Sequence, residues 1–225
     1  MTFPSGPLSI ERLRPRTARG IRIVVIDSGV HHLHPHIGGV EDGVSVDAEG
    51  MLSDDFIDRL GHGTAVTAAI REKAPQAEIF VAKVFDRRLE TTAASLVSAI
   101  RWAVACQAHL INLSLGTRTA AHAEMLAAAV RDARAAGAWV VAAGEHEGVR
   151  WLPGTLNGVV SVGLDWGLPR DQCVVHLDAD GEIHVRASGF PRPIPGVPPE
   201  RNLKGLSFAV ANATGLLALA LQGDL

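Results

Sequence analysis

The chain has 225 residues, of which 47% are hydrophobic and 20% are charged, and its formal net charge is −3. This size and composition are ordinary for one globular domain, or at most two, with a sizeable core. The weakly acidic balance offers nothing that favours nucleic acid or an anionic membrane as a partner, and no run approaches the roughly 18 apolar residues of a membrane helix.

The N-terminus contains neither the basic nor the apolar region of a secretion signal. The first core strand is predicted to start by Ile21, so we expect residues 1–20 to form an N-terminal extension and residues 21–225 a single domain. The same observation predicts a cytoplasmic location. The two cysteines, Cys106 and Cys173, are expected to be buried or idle thiols rather than a disulfide.

Strand and helix patterns alternate along the chain. Ile21–Ile26 is a continuous apolar, β-branched run, which is typical of a strand buried on both faces of a parallel sheet. The other predicted elements, in order, are helix 62–72, strand 78–84, helix 93–107, strand 109–115, helix 120–136, strands 138–143 and 159–164, a hairpin of strands 172–177 and 182–187, and helix 207–222. Gly189–Pro199 holds five prolines and is predicted to be an ordered loop. This alternation predicts an α/β fold with a mostly parallel sheet.

Three short segments contain the parts of a nucleophilic triad. They are Asp27 in Ile-Asp-Ser-Gly, His62 in Gly-His-Gly-Thr and Ser207 in Gly-Leu-Ser-Phe-Ala. In such a triad the Ser attacks a carbonyl, the His takes its proton and the Asp orients the His. Each segment alone has an ordinary explanation: a turn after a strand, a loop histidine and a helix N-cap.

The order Asp, His, Ser distinguishes the subtilisin arrangement from those of chymotrypsin and the α/β-hydrolases. Other segments follow the same family in register: His34-Pro35, Val81–Val84, Ile111–Gly116, Val140–Gly144, Leu152–Gly154 and Val159–Gly163. The chain therefore resembles the subtilisin-like serine proteases from about residue 20 to residue 221. The resemblance implies a three-layer α/β fold, with helices on both faces of a mostly parallel central sheet, and no cofactor.

The resemblance also implies roles for individual residues. Ser207 is expected to be the nucleophile, His62 the general base and then acid, and Asp27 the group that orients His62. The residues expected to bind extended substrate are Leu113, Ser114, Leu115 and Gly116 on one strand, Ala143 and Gly144 on the next, and Trp151.

Two departures from the family concern the oxyanion hole. The family has an Asn after the Ala-Ala-Gly strand end, where this chain has Glu145, or His146 if one residue is inserted. A carboxylate cannot donate a hydrogen bond, whereas an imidazole can. The Thr that usually precedes the nucleophile is Leu206 here. The candidates for oxyanion donors are therefore His146, Glu145 and the backbone N–H of Ser207.

Two further departures concern the substrate pocket and metal binding. Trp151 replaces a small residue at the base of the first specificity pocket, which predicts either a filled pocket or a ring that a shortened loop turns elsewhere. The His helix runs almost directly into Ala74-Pro75, without the insertion that forms a calcium site in many members, so we predict no calcium there.

A histidine-rich stretch and an acidic stretch flank the predicted triad. His31, His32, His34 and His36 offer metal-binding side chains, but without a cysteine partner or a fixed-spacing motif. We therefore predict a surface loop and no metal, although His31 and His36 are placed to contact substrate. Asp54, Asp55 and Asp58 are interpreted as a solvated loop that could favour a basic substrate segment.

Two hypotheses for the function follow. The first is a cytoplasmic endopeptidase of narrow specificity, for example one that trims a dedicated precursor peptide through an acyl-enzyme. The second is a pseudoprotease that binds a peptide or protein without turnover, as Glu145, Leu206 and Trp151 suggest. An esterase using the same triad is a third interpretation. A peptide or protein is the expected partner in the first two, and the sequence does not define the oligomeric state.

Overall fold

The computed structural model describes residues 3–223, which form twelve strands and five α-helices. The strands are β1 (Gly6–Ser9), β2 (Arg22–Asp27), β3 (Asp42–Val46), β4 (Leu52–Ser53), β5 (Glu78–Lys83), β6 (Leu110–Leu113), β7 (Trp139–Ala143), β8 (Glu145–His146), β9 (Val149–Arg150), β10 (Val160–Leu164), β11 (Gln172–Leu177) and β12 (Ile183–Ala187). The helices are α1 (Ile10–Leu13), α2 (His62–Lys73), α3 (Ala93–Ala105), α4 (Ala123–Ala135) and α5 (Leu206–Leu221).

Ten of these strands form one sheet, in the order β1-β11-β12-β10-β7-β6-β2-β5-β3-β4. The run from β12 to β3 is parallel throughout, while β1, β11 and β4 pair antiparallel near the two edges. The strands β8 and β9 form a separate hairpin. The predicted α/β fold with a mostly parallel sheet is confirmed.

Alternation of side chains along β2 builds a core on each face of the sheet. Ile23 and Val25 belong to the core that packs against α2 and α5, and Val24 and Ile26 belong to the core that packs against α3 and α4. Successive strand residues point to opposite faces, so an uninterrupted apolar strand requires a helical layer on both sides. The three-layer arrangement is therefore confirmed, with α5 buried along nearly its whole length.

All the predicted helices and strands are present, with ends that coincide or differ by at most three residues. The helix predicted over residues 120–136 begins as a 3₁₀ turn, Ala120–His122, before α4. The predicted hairpin around residues 178–181 is formed by β11 and β12. None of the helices within residues 3–223 is both long and apolar enough to cross a membrane.

Five strands of the structure, β1, β3, β4, β8 and β9, have weak sequence signals and were not predicted, and neither was the short helix α1. The segment assigned to an N-terminal extension contributes β1, whose Gly6 and Pro7 are unusual strand residues that an edge position tolerates. The strand β3 contains Asp42, Gly43 and Ser45, all depleted in strands, and β4 has two residues. The β8–β9 hairpin turns through Glu147 and Gly148, both with positive φ, as a two-residue hairpin turn requires.

The cysteines are free thiols, as predicted. Burial raises the pKa of Cys173 to about 12, and burial together with Asp42 raises the pKa of Cys106 to about 11. Thiolates are the reactive form of cysteine, so both side chains are unreactive at neutral pH.

Candidate active site

The three predicted catalytic residues stand at the ends of three elements. Asp27 is the last residue of β2, His62 is the first of α2 and Ser207 is the second of α5. The strand β2 lies within the parallel part of the sheet, and its carboxyl end is at the edge where open α/β sheets bind ligands. The fold thus brings three segments that are distant in sequence to the carboxyl ends of the parallel strands.

Asp27 and His62 are in direct contact. His62 Nδ1 lies 2.7 Å from Asp27 Oδ1, which also accepts a hydrogen bond of 2.7 Å from the backbone N–H of Ser28. The Asp27 side chain is fully buried, and its Oδ2 has no hydrogen-bond partner among the described residues. A buried carboxylate in this position holds the proton of His62 on Nδ1 and leaves Nε2 as the acceptor.

The protonation of His62 is set by two opposing effects. Burial alone would lower its pKa, but the hydrogen bond and charge of Asp27, with a further contribution from Asp58, outweigh burial and raise the pKa above its usual value. A base with a raised pKa takes a proton more readily, and the resulting imidazolium is stabilised by the adjacent carboxylate.

Asp58 fixes the first turn of α2. Its two oxygens accept hydrogen bonds from Thr64 N and Thr64 Oγ1, Leu60 N, Gly61 N and Ser28 Oγ. Burial tends to raise the pKa of Asp58, but these hydrogen bonds dominate and lower it. The interpretation of Asp58 as part of a solvated loop was wrong; an Asp just before a helix start is an N-terminal anchor, and that signal was present in the sequence.

The glycines beside His62 and Asp27 permit a close approach of two backbones. A Cβ on Gly63 would lie 2.2 Å from the carbonyl oxygen of Gly29, and a Cβ on Gly29 would lie 2.3 Å from the carbonyl oxygen of Phe56. Side chains cannot fit at these distances. The glycines of the Gly-His-Gly and Asp-Ser-Gly segments therefore allow the His62 imidazole to come within hydrogen-bond distance of the Asp27 carboxylate.

Ser207 is joined to the end of β6 by a reciprocal pair of hydrogen bonds. Its Oγ donates to the carbonyl oxygen of Ser114 at 3.0 Å, and Ser114 Oγ donates to the carbonyl oxygen of Ser207 at 2.9 Å. The imidazole lies close by, since the ring centroids of His62 and Phe208 are 5.9 Å apart. In this rotamer the Ser207 hydroxyl is not hydrogen-bonded to His62, and attack requires it to turn from Ser114 toward Nε2.

A buried polar network supports this junction, and sequence reasoning missed it. Asn112 Nδ2 donates to Ser114 Oγ at 3.1 Å, and Thr214 Oγ1 lies 2.9 Å from Asn112 Oδ1. Asn112 and Thr214 are fully buried, and Ser114 is nearly so. The network links β6 to α5, which begins beside the nucleophile. An Asn within the apolar run Leu110–Leu113 was the available signal, because buried polar side chains need partners.

The hairpin that follows β7 contains both side-chain candidates for the oxyanion hole. Glu145 is exposed and stands opposite Arg150 in the β8–β9 pair. His146 is about one-third exposed, with its Nε2 3.8 Å from a Glu147 carboxylate oxygen. The N–H of Ser207 makes no hydrogen bond within the described residues and lies at the start of a 16-residue helix, where N–H groups are available to an anion.

The remaining predicted substrate residues line the ends of β6 and β7. Trp151 packs against Gly116, where an added Cβ would come 3.0 Å from the Trp151 Cβ. The Arg118 guanidinium lies 6.0 Å from the Trp151 ring centroid. Thr117 pairs with Leu152 through two hydrogen bonds of 2.9 Å, so the segment after the hairpin closes one side of residues 113–116, which continue from the end of β6. Ala143 ends the neighbouring strand β7, and Gly144 follows it.

Comparison with known proteins agrees with this geometry. The sequence model of the subtilase family matches residues 18–164, which include Asp27 and His62. The chain belongs to the subtilase family. Among solved structures, that of the prenylagaramide maturation protease PagA is similar with a TM-score of 0.70 and 26% identity, covering 96% of this chain and 81% of that one.

Curated subtilases of bacteria are similar over part of their length. Subtilisin E of Bacillus subtilis (strain 168) is 27% identical over 216 residues, covering 89% of this chain and 53% of its own length. A thermostable alkaline protease of Halalkalibacterium halodurans is 30% identical over 154 residues, covering 64% of this chain and 41% of its own. The chain thus spans about half, or less, of these relatives.

The structure shows the surroundings of the residues that were expected to depart from the family pattern. The side chain in direct register with the family's oxyanion Asn is the exposed Glu145, and Leu206 is partly buried against the core instead of offering a hydroxyl. Asn212 is fully buried, and its Nδ2 donates to the carbonyl oxygens of Ser188 and Phe190. It therefore fixes the start of the segment that precedes the nucleophile.

The histidine-rich stretch lies on the surface beside the triad. The His34 and His36 rings meet edge to face at 5.0 Å, and His32 lies 6.0 Å from the Phe56 ring. Across the part of the chain that the structure describes, no three His, Cys, Asp or Glu side chains are grouped so that they could hold a metal ion.

Proposed function

We propose that this subtilase is a serine endopeptidase that acts in the cytoplasm on a narrow set of peptides, with Asp27, His62 and Ser207 as its triad. The observation that supports this most is the 2.7 Å contact of His62 Nδ1 with the buried Asp27, next to a serine at the start of a buried helix. A neutral imidazole with a free Nε2 is the base that a serine nucleophile requires.

In the proposed reaction, His62 accepts and then donates a proton in each of two stages, formation of the acyl-enzyme and its hydrolysis. The Ser207 hydroxyl turns from the Ser114 carbonyl to His62 Nε2, gives up its proton and attacks the scissile carbonyl carbon. His62 then donates that proton to the leaving amine as the acyl-enzyme forms. Water, deprotonated by His62, attacks the acyl carbon, and the Ser207 oxygen leaves with the proton from His62.

The developing oxyanion needs hydrogen-bond donors. The Ser207 N–H, at the start of α5, is the first of them in this proposal, and His146 is the second, because its ring can donate whereas the Glu145 carboxylate cannot. An ionised Glu145 would repel an oxyanion close to it, so we expect activity that is low by the standards of its family.

The specificity follows from the strand ends beside Ser207. Extended peptide is proposed to pair with residues 113–116 and to lie against Ala143 and Gly144. Trp151, packed on Gly116, fills the first specificity pocket in this proposal, so a small side chain or none precedes the cleaved bond. Narrow specificity and the similarity to a protease named for the maturation of prenylagaramide both favour a role in processing a precursor peptide.

A second candidate function is that of a pseudoprotease that binds peptide without cleaving it. The observations that favour it are the Ser207 hydroxyl bound to the Ser114 carbonyl instead of His62, and the exposed Glu145 in place of an amide donor. The two functions differ in whether Ser207 is an activated nucleophile.

The test is labelling by a fluorophosphonate, which reacts with activated serines, followed by mass spectrometry of the adduct. Ser207→Ala and His62→Ala are the informative variants, and Ser53→Ala, an exposed serine in the short strand β4, is the matched control. Fast labelling of Ser207 that both informative variants lose, and the control retains, supports the peptidase. Labelling no faster than that of a denatured sample would exclude it and leave the binding function.

A further inference from the structure

A groove of about 550 Å³ opens beside the triad, and we name it the α2 groove. Three segments line it: the loop after β2 (residues 31–36), the start of α2 with the residues before it (residues 58–68) and the proline-rich segment (residues 191–203). Each adjoins a triad residue, since the first follows Asp27, the second contains His62 and the third precedes Ser207. Neither Ser114 nor Gly116 lines it, so it is separate from the proposed acyl-side strand.

The lining of the α2 groove is largely apolar. Its apolar members are Ala65, Ala68, Pro191, Ile194, Val197 and Leu203. Ile194, Val197 and Leu203 are 46%, 37% and 50% exposed. Single exposed apolar side chains are common on proteins, but several gathered in one concave site indicate that an apolar group binds there.

The charged groups of the α2 groove are predominantly basic. Arg192 and Arg201 line it, and neither forms a salt bridge among the side chains that the structure describes. The lining carboxylate, Asp58, is surrounded by the five donors that hold α2. Glu72, which lies near His36, is paired with Arg170 and Lys73. Arg192 Nη1 donates to the carbonyl oxygen of His36 at 3.4 Å. Because no described carboxylate neutralises either guanidinium, the groove attracts a carboxylate.

The wall formed by the proline-rich segment is preformed. Asn212 donates to the carbonyl oxygens of Ser188 and Phe190 at 2.7 and 3.0 Å, and Asn202 Nδ2 lies 3.3 Å from the carbonyl oxygen of Arg192. The prolines restrict the backbone further. A wall whose start is anchored and whose backbone is restricted by prolines loses less conformational entropy when a peptide binds.

The chemistry of the triad indicates which part of a substrate reaches this groove. His62 protonates the leaving amine, so the chain that follows the cleaved bond departs past His62 and Gly61, which borders the groove. Leu203 is four residues before Ser207, a separation of at most about 14 Å. The first few residues after the cleaved bond therefore come within reach of the groove.

We propose that the α2 groove binds the leaving-group segment of the substrate and selects an apolar side chain together with an acidic one among its first four residues. The apolar side chain packs on Ile194, Val197 and Leu203, and the carboxylate pairs with Arg192 and Arg201. The assignment of the groove to the leaving-group side of the substrate rests on the proposed peptidase function. Binding of a peptide to the groove can nevertheless be measured without turnover.

The first experiment measures cleavage of quenched fluorescent peptides that share one acyl side. Their leaving sides contain Leu and Asp, Leu and Lys, or Ala and Asp. We expect about a tenfold higher kcat/KM for Asp over Lys and for Leu over Ala. The double variant Arg192→Ala/Arg201→Ala should lose the charge preference, and raising the salt concentration should weaken it. Arg101→Ala, an exposed arginine on α3, should retain both preferences.

The second experiment measures binding of the labelled leaving-side peptides to Ser207→Ala protein, in which no turnover occurs. We expect tighter binding of the peptide with Leu and Asp, and a loss of that advantage in the added Arg192→Ala/Arg201→Ala background. Such binding without cleavage by the unsubstituted protein would support the groove while excluding the peptidase. Cleavage with no leaving-side preference, or a preference unchanged in the double variant, would overturn the groove proposal and leave the peptidase standing.

Discussion

The Asp27–His62 side of the candidate site and the β8–β9 hairpin differ in how firmly their side chains are held. Asp27 is fully buried and bonded to His62 and the Ser28 N–H, and Asp58 accepts five hydrogen bonds at the start of α2. Glu145 is exposed in the hairpin, and the partner of His146 there is a Glu147 carboxylate 3.8 Å away.

This difference separates two requirements of acyl transfer. The orientation of the general base is built into the interior of the fold, where changing it also disturbs packing. In the proposed reaction, stabilisation of the oxyanion, the other requirement, depends in part on the surface hairpin. We therefore expect substitutions in the exposed hairpin to change the rate with little loss of stability.

Removing the buried Asp27 carboxylate should have the largest effect on the reactivity of Ser207. Asp27→Asn replaces the acceptor for His62 Nδ1–H with an amide that donates, which favours the tautomer with the proton on Nε2, so the base cannot accept from Ser207. We expect the fluorophosphonate labelling rate to fall by about 10⁴-fold. Asp54→Asn, at an exposed aspartate, is the control and should label normally. Labelling of Asp27→Asn within tenfold of the unsubstituted protein would show that Asp27 does not orient the base.

Placing a hydrogen-bond donor on the hairpin should have the next largest effect, an increase in the rate of peptide cleavage. Glu145→Asn removes a negative charge and adds an amide at the position of the family's oxyanion donor. Since one such donor is worth about 10²–10³ in rate, we expect peptide cleavage to rise at least tenfold. Glu145→Ala, the control, removes the same charge at the same position without adding a donor. Equal gains in the two variants would mean that charge, and not the donor, is responsible.

These two regions also differ in how well the sequence predicts them. The strand β2 and the helices α2 and α5 were predictable because apolar periodicity defines such elements. The triad candidates came from the order of the three segments and the resemblance to a known family, since each segment alone has an ordinary explanation. The Asp27–His62 contact follows, because the carboxyl end of a parallel strand meets helix N-termini at one edge.

The parts that the sequence did not predict depend on long-range partners or, in the hairpin, on an unusual turn residue. The edge strand β1, with Gly6 and Pro7, forms because β11 offers it hydrogen-bond partners. The β8–β9 hairpin is defined by two positive-φ residues, of which Glu147 is not a usual turn residue. Asn112 looks like an interruption in an apolar strand until Ser114 and Thr214 supply its partners.

The Asn112 network offers a test of how the nucleophile is positioned. Asn112→Ala removes the donor to Ser114 Oγ and one of the two oxygens that lie 2.9 Å from Thr214 Oγ1, so that this buried hydroxyl keeps the Val210 carbonyl oxygen alone. We expect a loss of about 2 kcal/mol in the free energy of unfolding and a roughly tenfold lower kcat with little change in KM. Urea unfolding and peptide cleavage measure these, with the exposed Asn157→Ala as the control. A stability loss with kcat unchanged would mean that the network stabilises α5 without positioning Ser207.

The pH dependence of stability should show the smallest effect, and it isolates the Asp27–His62 contact. Burial opposes protonation of His62, but Asp27 outweighs it, so the folded-state pKa lies above the unfolded value of about 6.5. The proton therefore stabilises the folded state fully below pH 6.5, and this contribution is lost as the pH rises through the folded pKa.

The measurement is urea unfolding of the unsubstituted protein and of His62→Gln at pH 5.5 and pH 9. The stability difference between the two proteins should be larger at pH 5.5, because there the imidazolium pairs with Asp27, and smaller at pH 9, where the ring is neutral. Activity should show the reverse dependence, since only neutral His62 accepts the proton of Ser207, so kcat/KM should rise with pH over the same range. A stability difference that grows with pH would mean that the folded protein favours neutral His62, and that the charge of Asp27 does not outweigh burial.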